Sequence, residues 1–190
     1  MGITTETAAD YSAPLVDVSD AGRDALFERI AAEYSAPLAR LARAHEADAS
    51  LQQDLLQEIH LAIWRSLPAF AGRCSLRTWV YRVAHNVAAT HLVRQKRRRV
   101  ETLSTLDELV LEADQPDAAA GIDEQRTLEK LTALIRRLKP IDRQIIVLHL
   151  EGLAADDIAE VAGLSVPNVH TKLHRLRELL AKRVQAGDNA

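Results

Sequence analysis

Apolar residues recur at the three- and four-residue spacing of an amphipathic α-helix along most of this chain. No stretch alternates apolar and polar residues over the length of a strand, and Ala, Leu, Arg and Glu predominate, so the pattern predicts an all-α protein. The first helical segment begins near Asp24, and its apolar positions are Leu26, Phe27, Ile30, Tyr34, Leu38 and Leu41. Because Pro37 falls inside this segment, we expect the helix to kink or break there.

A second helix is predicted to begin at Ser50, where Gln53 three residues later completes a capping box. Its apolar stripe consists of Leu51, Leu55, Leu56, Ile59, Ile63 and Leu67. Pro68 and Gly72 then indicate a loop. We expect Ser75 to cap a third helix, whose apolar stripe consists of Leu76, Trp79, Val80, Val83 and Val87.

The helical period returns after Gln125 and predicts two further helices, separated at Pro140. The first has the apolar positions Leu128, Leu131, Leu134, Ile135 and Leu138, and the second has Ile141, Ile145, Ile146 and Leu148. Gly152 is the expected residue in the left-handed conformation after the second of them.

The segment that follows has the spacing of a helix-turn-helix motif. Ala159 is small enough for two helices to cross, Gly163 suits the turn, Ser165 suits an N-cap and Val169 is an apolar anchor. This spacing leaves Pro167, Asn168, His170, Thr171, Lys172, His174 and Arg175 on the outer face of the second helix. Helical hairpins that do not bind DNA can show the same spacing.

Charge is distributed very unevenly along a chain whose formal net charge is −3. Between Ile59 and Val100 there is no Asp or Glu, while the same segment holds Arg65, Arg73, Arg77, Arg82, Arg94, Lys96, Arg97, Arg98 and Arg99. A basic run at a helix end is ordinarily a solvated tail, but this one ends a long acid-free segment. The positive field indicates a phosphate backbone as the partner.

Residues 101–124 reverse this sign, with eight acids and no Lys or Arg. Together with Pro116, Gly121 and three consecutive alanines, this composition predicts a flexible linker that could span at most about 80 Å when extended. We therefore expect a disordered N-terminus over 1–20, a helical domain over 21–100, the linker over 101–124 and a second helical domain over 125–187.

Composition limits the class of protein further. The N-terminus has no basic and apolar signal-peptide pattern, no apolar run reaches the length of about 18 residues that a membrane span needs, and a single cysteine fits a reducing compartment. These features predict a soluble, cytoplasmic protein.

The two halves together resemble a known family, the group IV (extracytoplasmic-function, ECF) sigma factors of the sigma-70 family. DLLQEIHLAIWRSLPAFAGRCSLRTWVYRVAHNVAATHLVRQKRR is similar to their second conserved region, and LKPIDRQIIVLHLEGLAADDIAEVAGLSVPNVHTKLHRLRELL resembles their fourth. The match covers most of 24–185, in the family's order and with a linker between the regions. No third folded domain fits between them, which is typical of the short sigma factors.

The resemblance implies a subunit that directs bacterial core RNA polymerase to promoters and catalyses nothing itself. Its partners would be core polymerase (the β′ clamp helices and the β flap) and promoter DNA, and an anti-sigma factor is common in this class. The implied polymerase contacts are Asp54, Gln57 and Glu58. The implied −10 contacts are Phe70, Gly72, Arg73, Cys74, Arg77, Trp79, Arg82, Asn86, Arg94 and Arg97. The implied −35 contacts are Ser165, Pro167, Asn168, His170, Thr171, Lys172, His174 and Arg175.

Three positions depart from the family's usual pattern: Thr90 where Asp is common, Asp157 where Glu is usual, and Asn168 where Thr is common. Asn168 could change the −35 sequence that is read, since Asn can bond adenine in a bidentate way. A free-standing helix-turn-helix regulator is the alternative function, although it has no use for a polymerase-docking helix beside an acid-free one. An enzyme acting on nucleic acid would need a metal-binding acidic cluster, and the acids lie in the linker instead.

No metal or other cofactor and no small-molecule substrate is expected. Cys74, His85 and His91 match no usual zinc spacing, and we expect a small loop residue and two solvated histidines. Phosphate loops and nucleophile elbows are also lacking from the sequence.

Overall fold

A computed structural model describes residues 20–105 and 123–188 of the chain. Within these ranges there are seven α-helices, one 3-10 turn and no strand, which confirms the all-α prediction. The elements are α1 (Asp20–His45), α2 (Ala49–Ser66), the 3-10 turn (Leu67–Ala69), α3 (Leu76–Thr105), α4 (Asp123–Arg136), α5 (Pro140–Leu150), α6 (Ala155–Ala162) and α7 (Val166–Asp188). The predicted disordered N-terminus, apart from Asp20, and the linker residues 106–122 lie outside the described residues.

The first three helices form an N-terminal bundle around the predicted apolar stripes of α1 and α2. On α3 the predicted positions Val83 and Val87 are only half-buried, and Tyr81 is buried instead. The fully buried side chains include Ile30, Leu38 and Leu41 of α1, Leu55, Ile59 and Ile63 of α2, and Val80 and Tyr81 of α3. Small residues of α3, Ala84 and Ala88, are also buried and permit close packing of the helices. Burial of each large side chain contributes about 1.5–3 kcal/mol, so this core is what holds the bundle together.

The expected break at Pro37 does not occur, because α1 continues from Asp20 to His45 with Pro37 inside it. Proline lacks the N–H that would bond to the carbonyl of Glu33, which weakens the helix locally. Tyr34 and Leu38, on either side of the proline, are both buried in the same core. Tertiary packing on both sides therefore keeps the helix continuous.

The start of α2 differs from the predicted capping box at Ser50 and Gln53. The N-cap is Asp48, whose carboxylate accepts hydrogen bonds from the main-chain N–H groups of Ser50 at 2.8 Å and Leu51 at 3.1 Å. A carboxylate serves better here because it accepts two N–H groups and also the Ser50 hydroxyl at 2.6 Å. The Ser50 prediction was therefore wrong by two residues.

The predicted cap of α3 is confirmed, since the Ser75 hydroxyl accepts the main-chain N–H of Thr78 at 3.0 Å. The helix then extends to Thr105, five residues beyond the predicted end of the domain. The basic run therefore lies on a continuous helix.

The last four helices form a C-terminal bundle that contains the helix-turn-helix. Gly163 has the left-handed backbone conformation (φ 67°) predicted for the turn, and Gly152 has it after α5 (φ 76°). Ala159 and Val169 are buried where α6 and α7 cross, as the spacing predicted. Ile145, Leu148, Ile158, Leu173 and Leu176 complete the core.

The two bundles pack against each other: α4 and α5 lie on α1, and α6 lies on α3. This arrangement brings the helix-turn-helix to the side of α3, although the linker is long enough for the bundles to separate. In the part of the chain that the structure describes, no helix combines the length and apolarity that crossing a membrane requires.

Candidate nucleic-acid interface

The N-terminal end of α7 presents a polar, solvent-exposed face. Most of the side chains predicted to contact −35 DNA are exposed there: Ser165, Pro167, Asn168, His170, Thr171, His174 and Arg175. Val169 and Leu173 face inward and fix the helix on α5 and α6. A helix held in this way, with short polar side chains at its first turns, can enter a major groove.

Lys172 is the exception on this helix. Its ammonium group lies 2.8 Å from the carboxylate of Asp142 on α5, and its side chain is only 26% exposed. Asp142 is buried, so the pair links α7 to the bundle interior. The described contact of Lys172 is thus internal, whereas the Arg175 side chain is exposed.

The outer face of α2 carries the predicted polymerase contacts. Asp54 and Gln57 are exposed, and Glu58 is half-buried. The Glu58 carboxylate forms a bidentate pair with Arg94 of α3, at 2.7 and 3.3 Å. One residue predicted to bind polymerase and one predicted to bind DNA therefore hold each other in place.

The loop between α2 and α3 is packed around two aromatic rings. Phe70 is half-buried against Trp79, with ring centroids 5.2 Å apart, and Trp79 itself is buried. Gly72 takes the left-handed conformation (φ 66°), which glycine adopts readily. Cys74 is half-buried, and burial raises the pKa of its thiol. Of the two rings, Phe70 is the more accessible to a base.

The predicted −10 cations and Asn86 fall into two sets. Arg73, Asn86, Arg94 and Arg97 are exposed. Arg77 and Arg82 face the C-terminal bundle and contact it. Arg82 pairs with Glu160 of α6, and Arg77 donates to the main-chain oxygen of Glu151.

The sequence did not predict the acids of the C-terminal bundle that bind side chains of α1 and α3. Asp157 of α6 accepts a hydrogen bond from the buried Thr78 hydroxyl at 2.8 Å. Glu151 forms a bidentate pair with Arg40 of α1 (both contacts 2.7 Å) and accepts from the Tyr81 hydroxyl at 3.3 Å. No local signal could have identified them, because their partners lie 70 or more positions away along the chain.

Three histidines of the N-terminal bundle, His45, His85 and His91, are buried, so the prediction that His85 and His91 are solvated was wrong. His85 packs edge-on against His45, with ring centroids 5.7 Å apart. Burial, with the charge of Arg143 and then His91 adding to it, lowers the pKa of His45 to about 3, and burial also places the pKa of His85 well below its ordinary value. His91 instead lies 3.4 Å from the carboxylate of Glu46. These rings are part of the core.

Two family models match the chain, in the order in which the bundles occur. The model for sigma-70 region 2 matches residues 30–98, and a model for sigma-70 region 4 matches residues 128–180. Together they account for more than half of the chain. The first falls on the bundle with the basic helix, and the second falls on the bundle with the helix-turn-helix.

Curated proteins similar to this chain are named as RNA polymerase sigma factors. The ECF RNA polymerase sigma-E factor of Haemophilus influenzae is 29% identical over 143 residues, covering 70% of this chain and 74% of the relative. The RNA polymerase sigma-H factor of Pseudomonas aeruginosa is 29% identical over 180 residues, covering 90% and 92%.

Solved structures share the fold. CnrH in complex with the cytosolic domain of CnrY matches with a TM-score of 0.63 and 22% identity, covering 87% of this chain and 92% of that chain. The sigma factor RpoE in complex with the anti-sigma factor NepR, from Bartonella quintana, matches with a TM-score of 0.61 and 18% identity, covering 83% and 98%.

Proposed function

The chain belongs to the sigma-70 family, and we propose that it directs bacterial core RNA polymerase to its promoters through the surfaces described above. The observation that carries this proposal is the ordered pair of sigma regions, one with an acid-free basic helix and one with an exposed recognition helix. A protein with two DNA-binding domains and a polymerase-binding face can recruit the polymerase to a promoter, while the polymerase itself synthesises the RNA.

In this proposal the N-terminal bundle binds both polymerase and the −10 element. Asp54 and Gln57, exposed on α2, contact the clamp helices of the β′ subunit. The 70–75 loop and the adjoining face of α3 hold the non-template strand, with Phe70 available to stack on a base and the arginines available to bind phosphates. Few aromatic side chains are available to force the duplex open, so DNA opening depends on core polymerase.

The C-terminal bundle reads the −35 element through α7. Asn168 and His170 lie at the end of the helix that enters the groove first, where side chains reach base edges. Arg175 lies farther along and is suited to a phosphate, which positions the helix without specifying sequence. This bundle also contacts the β flap of the polymerase.

The protein itself supplies no catalysis, and an anti-sigma factor is a further expected partner. The RpoE structure that shares this fold holds the anti-sigma factor NepR. Such a partner would control when the sigma factor reaches polymerase.

Polymerase binding is tested with the variant Asp54→Lys, Gln57→Lys, which reverses one charge and adds another. Both side chains are exposed, so the fold should survive, and affinity for core polymerase should fall at least about tenfold, or about 1.4 kcal/mol. The measurement is titration of labelled protein with bacterial core polymerase. The matched control is Ser35→Lys with Asp156→Lys, two exposed positions on α1 and α6 whose substitution changes the net charge by the same amount.

Unchanged affinity in the double variant would reject the assigned contact. If the unaltered chain failed to bind core polymerase but bound duplex DNA, the sigma function would be rejected in favour of a free-standing regulator.

A further inference from the structure

Val93 of α3 carries the most exposed large apolar side chain in the part of the chain that the structure describes, at 62%. It lies within the acid-free segment, toward the basic end of the helix. The core of the N-terminal bundle takes its apolar α3 side chains from Trp79 to Ala88, earlier in the helix. The Val93 side chain therefore contributes little to folding and is available to a ligand.

Three further side chains share the face of α3 that presents Val93. Asn86 lies seven residues before it, Thr90 lies three before and Arg97 lies four after, and these spacings place residues on one side of an α-helix. All three are exposed. Because Asn86 and Arg97 are among the predicted −10 contacts, Val93 lies between two groups assigned to DNA.

The cations around Val93 leave its side chain open. Arg94 forms the bidentate pair with Glu58, at 2.7 and 3.3 Å, and is thereby held toward α2. Lys96 and Arg97 are exposed. Val93 is thus an apolar position on a surface whose cations suit phosphate oxygens.

A valine on such a surface cannot bind a phosphate, because its side chain has neither a charge nor a hydrogen-bond donor. The base edges in the major groove offer it one apolar partner, since thymine alone presents a methyl group there, at C5. Contact between that methyl group and the Val93 side chain removes both from water. An exposed valine between DNA-binding groups therefore favours thymine over the other three bases.

The course of the chain indicates on which side of the −10 element this thymine lies. The C-terminal end of α3 leads through residues 106–122 to the bundle that contains α7, which we propose binds the −35 element, upstream of the −10 element. Val93 is seven residues nearer that end than Asn86. At 1.5 Å for each residue this is about 10 Å, or about three base-pair steps, so Val93 faces DNA upstream of the base nearest Asn86.

We infer that Val93 is a specificity-determining residue, which contacts the 5-methyl group of a thymine at the upstream end of the −10 element. The inference rests on the proposed function, since it takes α3 as the helix that lies on −10 DNA. It adds an apolar base contact to a face otherwise described by cations and polar groups.

The test replaces thymine by deoxyuridine, which pairs with adenine in the same way and lacks only the methyl group. A promoter mapped from the chain's own transcripts is prepared with single replacements at each thymine of either strand. The replacements cover the −10 element and the roughly five base pairs upstream of it, which is the reach of α3 from Asn86 to Arg97. Affinity of core polymerase carrying the unaltered chain should fall about fourfold at one position, as expected for loss of one buried methyl group. The measurement is competition between labelled and unlabelled promoter fragments.

Val93→Ala removes the apolar contact, and alanine at an exposed helix position keeps the helix stable. With this variant the same deoxyuridine replacement should leave the affinity unchanged, whereas replacements elsewhere should act equally on both chains. Leu150→Ala, which shortens another exposed apolar side chain (57%), is the matched control and should retain the decrease of about fourfold.

Either of two results would overturn the inference: no replacement lowers the affinity of the unaltered chain, or the sensitive replacement lowers that of Val93→Ala just as much. Failure of the proposed function gives a different result, because core polymerase with the unaltered chain would then yield no discrete start sites from which a promoter could be taken.

Discussion

At the scale of single residues, His45 and His85 are ionisable side chains that folding removes from water. Both rings are buried, and neither has a hydrogen-bond partner for its ring nitrogens among the described residues. The sequence could not predict this, because it placed His85 on a helix next to a basic segment. The groups that bury and repel these rings, including Arg143 of α5, come from other elements.

His45 should make stability depend on pH. Its pKa is about 3 in the folded chain and about 6.5 when unfolded, so its contribution is fully present above pH 6.5 and is lost as pH falls toward 3. Between about pH 7.5 and pH 5.5 the free energy of unfolding should fall by about 1.4 kcal/mol on account of this residue. Urea unfolding of the unaltered chain and of His45→Gln at both pH values measures the difference.

The exposed His170→Gln is the control and should retain the full decrease. A decrease as large in His45→Gln as in the unaltered chain would contradict the account of His45.

Among the elements, α7 combines a buried face that packs on the bundle with an exposed polar face that we propose reads DNA. The motif spacing predicted this helix well, because Gly163, Val169 and the buried leucines act through short-range packing that repeats along the sequence. The role of Lys172 was not predictable, since its partner Asp142 lies 30 positions earlier, on α5. The cap of α2 was missed for a local reason. Asp48 lies two residues before the capping-box pattern, and its carboxylate accepts the main-chain N–H groups of Ser50 and Leu51.

Substitution of Lys172 should therefore lower stability, whereas substitution of Arg175 should mainly weaken DNA binding. Lys172→Met leaves the buried Asp142 carboxylate without this partner, so the free energy of unfolding should fall by about 1–3 kcal/mol. Arg175→Met removes an exposed cation and should leave stability within about 0.5 kcal/mol, while weakening binding to −35 duplex of any sequence. Thermal or urea unfolding, together with duplex titration, measures both quantities. Equal stability of the two variants would contradict a structural role for Lys172.

For the whole molecule, the order of the two domains was predictable from local patterns, and their packing was not. Each bundle follows from helical periodicity, caps and turn glycines that lie close together in the chain. The closed arrangement depends on pairs such as Arg40 with Glu151, which are 111 positions apart. Nothing near either residue marks the other as its partner, so the contacts made by Arg77 and Arg82 of the predicted −10 surface could only be found in three dimensions.

The most direct measurement is the mapping of transcription start sites on fragmented genomic DNA, with core polymerase alone and with core polymerase plus this protein. We predict discrete new starts, each preceded by two shared sequence blocks, one for each of the two DNA-binding bundles. Start sites identical to those of core polymerase alone would contradict the central claim that this chain selects promoters.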